Sequence, residues 1–356
     1  MKKILLTLVL AMALCLQLAL PASAAYRSYR DVQDGHWSSS SVQRAIELGL
    51  FQGVTEDEFG WGQPMSRAAF AAALVRLFDW EEVESENSVF SDVTPDRWFY
   101  TAVETAYANG ALPAGHPEFR PTDGITRGEM AAMLIRALGY TSLAGYVSEY
   151  GCPFSDVSTN KGFITVAYDM GLMGGVGQDR FAPDDDATRE QAAAVLVRVH
   201  DCLSARPVQL NSASAYSRIT VETPEAGQIG ALPTTPLEPL TDLYEALRKM
   251  KETGVDMSRA ALCLQAGGQR TLVSNGEIVD SGAVTAEEME RLLEREDVNT
   301  YFSERYQSAY CIYAPNDYQT AVVWYQSDES LAAKLQLARL FGVTRYTLDD
   351  SKQQNW

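Results

Sequence analysis

A unit of about sixty residues recurs three times before position 204, and each copy closes on the same short signature. Phe59, Phe119 and Phe181 each stand eight residues before an arginine, in Phe59-GWGQPMS-Arg67, Phe119-RPTDGIT-Arg127 and Phe181-APDDDAT-Arg189. An Asp-Val pair opens each unit at Asp31, Asp92 and Asp156, so both ends of the repeat are fixed independently. Stacked repeats bury together the apolar face that one copy cannot bury alone, and they present the same surface several times over. The chain therefore reads as a binding array before it reads as a catalyst.

Within each repeat the pattern is helix, loop, helix. Val42, Ala45, Ile46 and Gly49 fall at helical spacing in the first copy, and Val103, Ala106, Tyr107 and Gly110 do so in the second. A loop containing Gly or Pro follows, and then Ser66, Thr126 or Thr188 stands where a second helix needs its N-cap. That helix aligns Phe70, Leu74 and Leu77, or Met130, Met133, Leu134 and Leu138, or Ala193, Leu196 and Val197 on one side. The arginine falls in its first turn, the end of the helix dipole that favours negative charge. Two readings follow: pairing with a carboxylate such as Asp31, Asp92 or Asp156, or an anion site made by the arginine and the free N–H groups of its turn. Threefold recurrence favours the anion site.

The 356 residues leave room for two or three domains, and 46% hydrophobic against 21% charged residues is enough for packed cores. A formal charge of -18 argues against a nucleic-acid partner, whose phosphates need a basic face. His36, His116 and His200 are scattered, Asp184-Asp-Asp186 reads as a solvated loop, and neither GxSxG, HExxH nor a phosphate-binding glycine loop occurs. No metal or other cofactor is expected. Lys2 and Lys3, an apolar run from Ile4 to Leu20 and small residues at Pro21-Ala-Ser-Ala24 make 1–24 a secretory signal, with no membrane span after cleavage. Cys152, Cys202, Cys263 and Cys311 then remain, either bridged as 152–202 and 263–311 or held as small buried hydrophobes.

The repeats, placed at 27–80, 88–141 and 150–203, resemble S-layer homology domains, whose pattern runs F-x-D-V, a Trp, an Ala/Gly-containing helix, G-x-F-x-P and I-T-R-x-E. The second copy matches most fully, with Phe90-Ser-Asp92-Val, Trp98, Phe119-Arg-Pro121 and Ile125-Thr-Arg127-Gly-Glu129. The third keeps Phe154-Ser-Asp156-Val, Phe181-Ala-Pro183 and Thr188-Arg189-Glu190, but its first loop is about three residues shorter and lacks the Trp. The first has Asp31-Val, Trp37 and Ser66-Arg67, with Trp61 in place of the Pro and no Glu after the Arg.

The resemblance implies a mainly α, pseudo-threefold bundle at the surface of a bacterium, in the cell wall or S-layer. Its grooves would hold a secondary cell-wall polysaccharide, often one bearing a pyruvyl ketal. A pyruvyl carboxylate needs a local cation, which Arg67, Arg127 and Arg189 supply even in an acidic chain, because charges beyond about 8 Å are screened. Asp31, Asp92, Asp156, Glu129 and Glu190 complete the implied site. Trp37 and Trp98 either stack on sugar rings or belong to the core. The fuller motifs place the grooves of Arg127 and Arg189 above that of Arg67.

Residues 204–239, rich in Pro, Ser, Thr and Gly, read as a linker, with Ile219-Thr-Val221 a short strand candidate. Beyond it, 240–356 alternates helices and strands, which predicts a smaller α/β or α+β domain. Its elements are a helix around Leu243–Met250, a strand at 260–264 and a hairpin turning on Asn275-Gly276. A helix at 286–296, strands at 310–313 and 321–325, a helix at 328–341 and a strand near Val343 complete it. The stretch from Val323-Trp324-Tyr325 through Tyr346-Thr-Leu348 resembles the end of family 18 glycoside hydrolases. That family's D-x-x-D-x-D-x-E run is absent, and fewer than 120 residues cannot make a barrel that needs about 250. The region reads as non-catalytic, a module for peptidoglycan or another surface protein. The alternative is a wall hydrolase completed by a partner chain.

Overall fold

The computed structural model describes residues 29–85, 87–212, 214–220, 239–303 and 308–349, so the leader read over 1–24 lies outside the described residues. The first repeat folds as α1 Ser39–Glu47 and α2 Arg67–Phe78, the second as α3 Tyr100–Ala108 and α4 Arg127–Ala137. A short α5, Thr141–Val147, precedes the third repeat's α6 Lys161–Asp169 and α7 Arg189–Ser204. Each second helix starts where its cap residue dictates. Ser66 accepts from the Ala69 N–H at 3.2 Å, and Thr126 and Glu129 satisfy each other's backbone N–H in a reciprocal capping box.

The repeats close on a backbone triangle just before those caps. Met65 N–H donates to Ala187 O at 2.8 Å, Ala187 N–H to Ile125 O at 2.8 Å, and Ile125 N–H to Met65 O at 2.7 Å. All three side chains are buried, so the pseudo-threefold axis runs through apolar core.

The marker residues hold the loops to this centre. Phe59, Phe119 and Phe181 are fully buried and pack against Tyr29, Phe90 and Phe154, at centroid distances of 6.1, 5.5 and 5.3 Å. The Asp31 carboxylate accepts from the N–H groups of Phe59, Gly60 and Trp61 at 2.8, 2.8 and 2.9 Å. Asp92 does the same for Phe119 and Arg120, and Asp156 for Phe181 and Ala182. Burial pulls the Asp31 carboxyl upward, but its backbone donors outweigh that and hold it below the ordinary value.

The bend after each Phe is left-handed, with φ of 87° at Gly60, 59° at Arg120 and 57° at Ala182. Such a backbone costs a residue with a Cβ about 1–2 kcal/mol. Ala182→Gly is therefore expected to raise the unfolding free energy by roughly 0.5–1 kcal/mol after the extra entropy of glycine is subtracted. Thermal unfolding checks this, and a lower melting temperature would contradict it.

The C-terminal half is an α+β arrangement. A parallel sheet has the order β1-β9-β3-β2, from Val208–Gln209, Arg345–Asp349, Ala260–Gln265 and Ser217–Thr220. An antiparallel sheet has the order β5-β4-β8-β7-β6, from Glu277–Val284, Gly268–Ser274, Gln319–Tyr325, Ser308–Asn316 and Asn299–Ser303. Asn275 and Gly276, at φ of 50° and 83°, form the expected hairpin turn. Helix α8 is Pro239–Glu252, α9 is Ala286–Leu293 and α10 is Asp328–Leu340; α9 packs Met289 and Leu292 on the antiparallel sheet beside Cys311 and Val323.

Two expectations change. The segment read as a linker supplies β1 and β2, because Val208 and Gln209 pair with Arg345 and Tyr346, and Ser217–Thr220 with Ala260–Cys263. Ile219 is buried there. The core does not break after position 204 either: Leu243, Tyr244, Leu262, Leu340 and Phe341 join the cluster that fills the repeats. Arg339 donates to Leu203 O at 2.6 Å and Gln336 to Leu138 O at 3.2 Å across that junction. Cys152, Cys202, Cys263 and Cys311 are free thiols, and Cys263 and Cys311 sit in separate apolar clusters.

Candidate functional site

Each signature arginine reaches the next repeat round the ring. The Nε of Arg67 donates to Phe119 O at 2.7 Å, that of Arg127 to Phe181 O at 2.9 Å, and that of Arg189 to Phe59 O at 2.9 Å. Each guanidinium also lies over the same Phe ring, at 5.0, 4.7 and 5.1 Å from its centroid. A second donor binds Gly174 O from Arg127 at 2.7 Å and Gln52 O from Arg189 at 2.8 Å, while Arg67 pairs with Glu129 at 2.6 Å. Burial holds all three guanidinium groups below their ordinary pKa.

This geometry amends both readings of the arginines. None of the three is in an ion pair with Asp31, Asp92 or Asp156, whose carboxylates are taken by backbone N–H groups. Five first-turn N–H groups are not free either. Those of Arg67 and Ala68 donate to Asp123 O and Pro121 O, those of Arg127 and Gly128 to Asp185 O and Pro183 O, and that of Arg189 to Gln63 O. The loop of the neighbouring repeat fills the place an anion would take.

Grooves of about 300 Å³ lie open beside two of these clasps, those of Arg189 and Arg67. One runs along α2, between the loop at Leu50–Val54 and Trp98 of the second repeat, and includes Arg76 and Arg189, with no acidic side chain among the described residues that line it. Trp98 is 68% exposed and Trp37 57% exposed, so neither belongs to the core. The other groove runs along α4 and holds Arg67, Arg120 and Arg136, but also Glu118 and Glu129. Glu129 there clamps Arg67 at 2.6 Å and Arg120 at 2.5 Å. The Arg127 guanidinium is the least open of the three, on a residue only 8% exposed.

The S-layer homology domain model matches residues 28–71, 89–131 and 153–193. The chain carries three S-layer homology domains. Over 176 residues it is 30% identical to an amylopullulanase of Thermoanaerobacterium thermosulfurigenes, covering 48% of this chain and 9% of that one. It is 29% identical over 180 residues to a surface-layer 125 kDa protein of Lysinibacillus sphaericus, covering 48% and 15%. The chain thus spans less than a fifth of these relatives. A spore cortex-lytic enzyme structure from Bacillus cereus, SleL, aligns over 38% of this chain and 31% of its own at 15% identity, with a TM-score of 0.30. S-layer homology domains are cell-surface anchoring modules, and among the described residues no helix is long and apolar enough to cross a membrane.

Within the domains, Glu190 reaches back to the Gly62 N–H of the first domain at 3.0 Å, and the position equivalent to Glu129 is Gln191. Trp37 lies beside His36, whose ring meets Trp61 at 4.6 Å. The sequence reading missed a second ring of arginines, Arg76, Arg136 and Arg198. Each stands nine residues after a signature arginine, so the same test of register would have found it. Arg76 and Arg198 donate to the equivalent carbonyls of Leu50 and Leu172 at 3.0 and 2.9 Å, while Arg136 lies over Phe163 at 4.2 Å.

Proposed function

We propose that the chain anchors non-covalently to an acidic cell-wall polysaccharide, and that the groove along α2 holds the charged sugar. One observation carries this reading. In a chain of formal charge -18, that groove is lined by Arg76, Arg189 and an exposed Trp98, with no carboxylate among the described residues that line it, Asp31 and Glu190 acting on Arg189 from behind. A low-charge ring face stacks on the indole while a carboxylate such as a pyruvyl ketal meets the guanidinium groups, whose hydrogen bonds to an anion are stronger than neutral ones. The α4 groove comes second, because Glu129 already neutralises its cations, and the Arg127 position third. This reverses the order expected for Arg67 and Arg127. Asp31, Asp92, Asp156 and Glu190 act as positioning residues that hold the groove walls, and Trp37 flanks the ring at the first domain.

The C-terminal half is proposed as non-catalytic, on the absence of the D-x-x-D-x-D-x-E run from the sequence. Trp98→Ala tests the groove cleanly, because so exposed a side chain contributes within about 0.5 kcal/mol to stability. Co-sedimentation of the chain from Ala25 onward with purified wall polysaccharide is expected to weaken about tenfold in this variant, with an unchanged melting temperature. Undiminished binding would remove the groove from the account.

A further inference from the structure

A larger cleft, of about 470 Å³, opens where α8 packs beside α5 and meets Asp169 at the end of α6 in the third domain. It lies outside the grooves just described and shares no lining residue with them. Tyrosine rings dominate its walls. Tyr150 is 69% exposed and Tyr168 42% exposed, and Tyr146 meets Tyr150 at a centroid distance of 4.8 Å. A small-molecule site typically occupies about 300–1,000 Å³ and combines such surfaces with a few placed polar groups.

The polar groups are present. Thr165 is only 7% exposed, lines the cleft, and its hydroxyl has no hydrogen-bond partner among the described residues. A buried hydroxyl left unpaired costs about 1–3 kcal/mol, so a ligand reaching it recovers that cost. The charges, by contrast, are closed among themselves. Arg248 binds Glu245 at 2.7 Å and Glu252 at 2.6 Å, and Asp169 accepts from the Tyr244 hydroxyl. Lys251 is committed to the Asp169 backbone carbonyl at 2.6 Å. Burial also raises the Asp169 carboxyl above its ordinary value.

We infer that this cleft is a second saccharide site, one for an uncharged pyranose unit. The C–H faces of the ring lie against Tyr150 and Tyr168, where the negative faces of the aromatic rings meet partly positive hydrogens. A sugar hydroxyl or amide satisfies Thr165, and the paired Arg248 and Glu245 present both donors and acceptors at the rim. An acidic sugar is disfavoured here, because Asp169, Glu245 and Glu252 outnumber the arginine. The two sites would therefore divide the wall between charged and neutral glycan.

Calorimetric titration of the chain from Ala25 onward with chitotriose and with cellotriose tests the proposal. At least one is expected to bind saturably with a Kd on the order of 1 mM, a value suited to a site that is multiplied by attachment elsewhere. Tyr150→Ala with Tyr168→Ala is expected to weaken binding tenfold or more. Thr165→Val keeps the side-chain shape, so it should leave the melting temperature unchanged or higher while weakening binding severalfold. Trp98→Ala should leave this binding intact, which separates the outcome from that of the α2 groove. Absence of saturable heat with both sugars, or binding that survives the double tyrosine change, would overturn the proposal.

Discussion

Arg127→Ala is expected to lower the unfolding free energy by about 3 kcal/mol, read as a shift in the urea midpoint at constant slope. The side chain is nearly buried, and its two hydrogen bonds to Phe181 O and Gly174 O tie the second domain to the third. Charge-assisted bonds contribute about 1.5–3 kcal/mol each, and truncation leaves both carbonyls facing a cavity. Release of the desolvation that depresses this guanidinium offsets part of the loss. Arg127→Lys is expected to recover little, because a single ammonium cannot serve two diverging carbonyls and stack on Phe181 as well. A loss below about 1 kcal/mol would show that the ring does not depend on its clasps.

Arg76→Glu is expected to have the largest effect on binding, roughly a hundredfold, or about 2.7 kcal/mol. Arg76 is exposed, and among the described residues its side chain makes one hydrogen bond, to Leu50 O, so the domain should survive the change. The substitution puts a carboxylate where the described lining has none and sets it against the charge proposed for the ligand. Titration of the wall polysaccharide at fixed ionic strength measures the effect, and raising the salt should shrink the difference between the two proteins. A loss of less than threefold would mean that charge does not select the ligand.

What the sequence shows clearly is whatever is local or repeated. The buried Phe59, Phe119 and Phe181, the caps at Ser66 and Thr126 and the Asn275-Gly276 turn each follow from residue type and spacing. The order in which the repeats engage is not local. Nothing near Arg67 says that Phe119 O, rather than a carbonyl of its own repeat, receives its Nε, or that Pro121 O and Asp123 O occupy the N–H groups of its turn. The anion reading of those N–H groups failed for that reason. Parallel pairing is hidden in the same way: β1 has two residues and finds its partner at Arg345, more than a hundred positions away. Helix α5 escaped notice because Leu143, Ala144 and Val147 make too short an apolar stripe to separate from the end of the second repeat. Strand β6 escaped because Asn299–Ser303 is a mostly exposed edge without a buried face.

The same division holds for the candidate site. The indoles of Trp37 and Trp98 and the signature arginines were legible as motif positions. Which of them share a groove depended on the ring, and the ring places Trp98 of the second domain opposite Arg189 of the third on a helix of the first.

The most direct test of the account compares one ligand in two states. A wall polysaccharide of the pyruvylated kind, and the same material after mild acid has removed its ketals, are each titrated into the chain from Ala25 onward. The account predicts that removal of the ketal carboxylate weakens binding at least tenfold and flattens its dependence on salt. Equal affinity for the two preparations would contradict it.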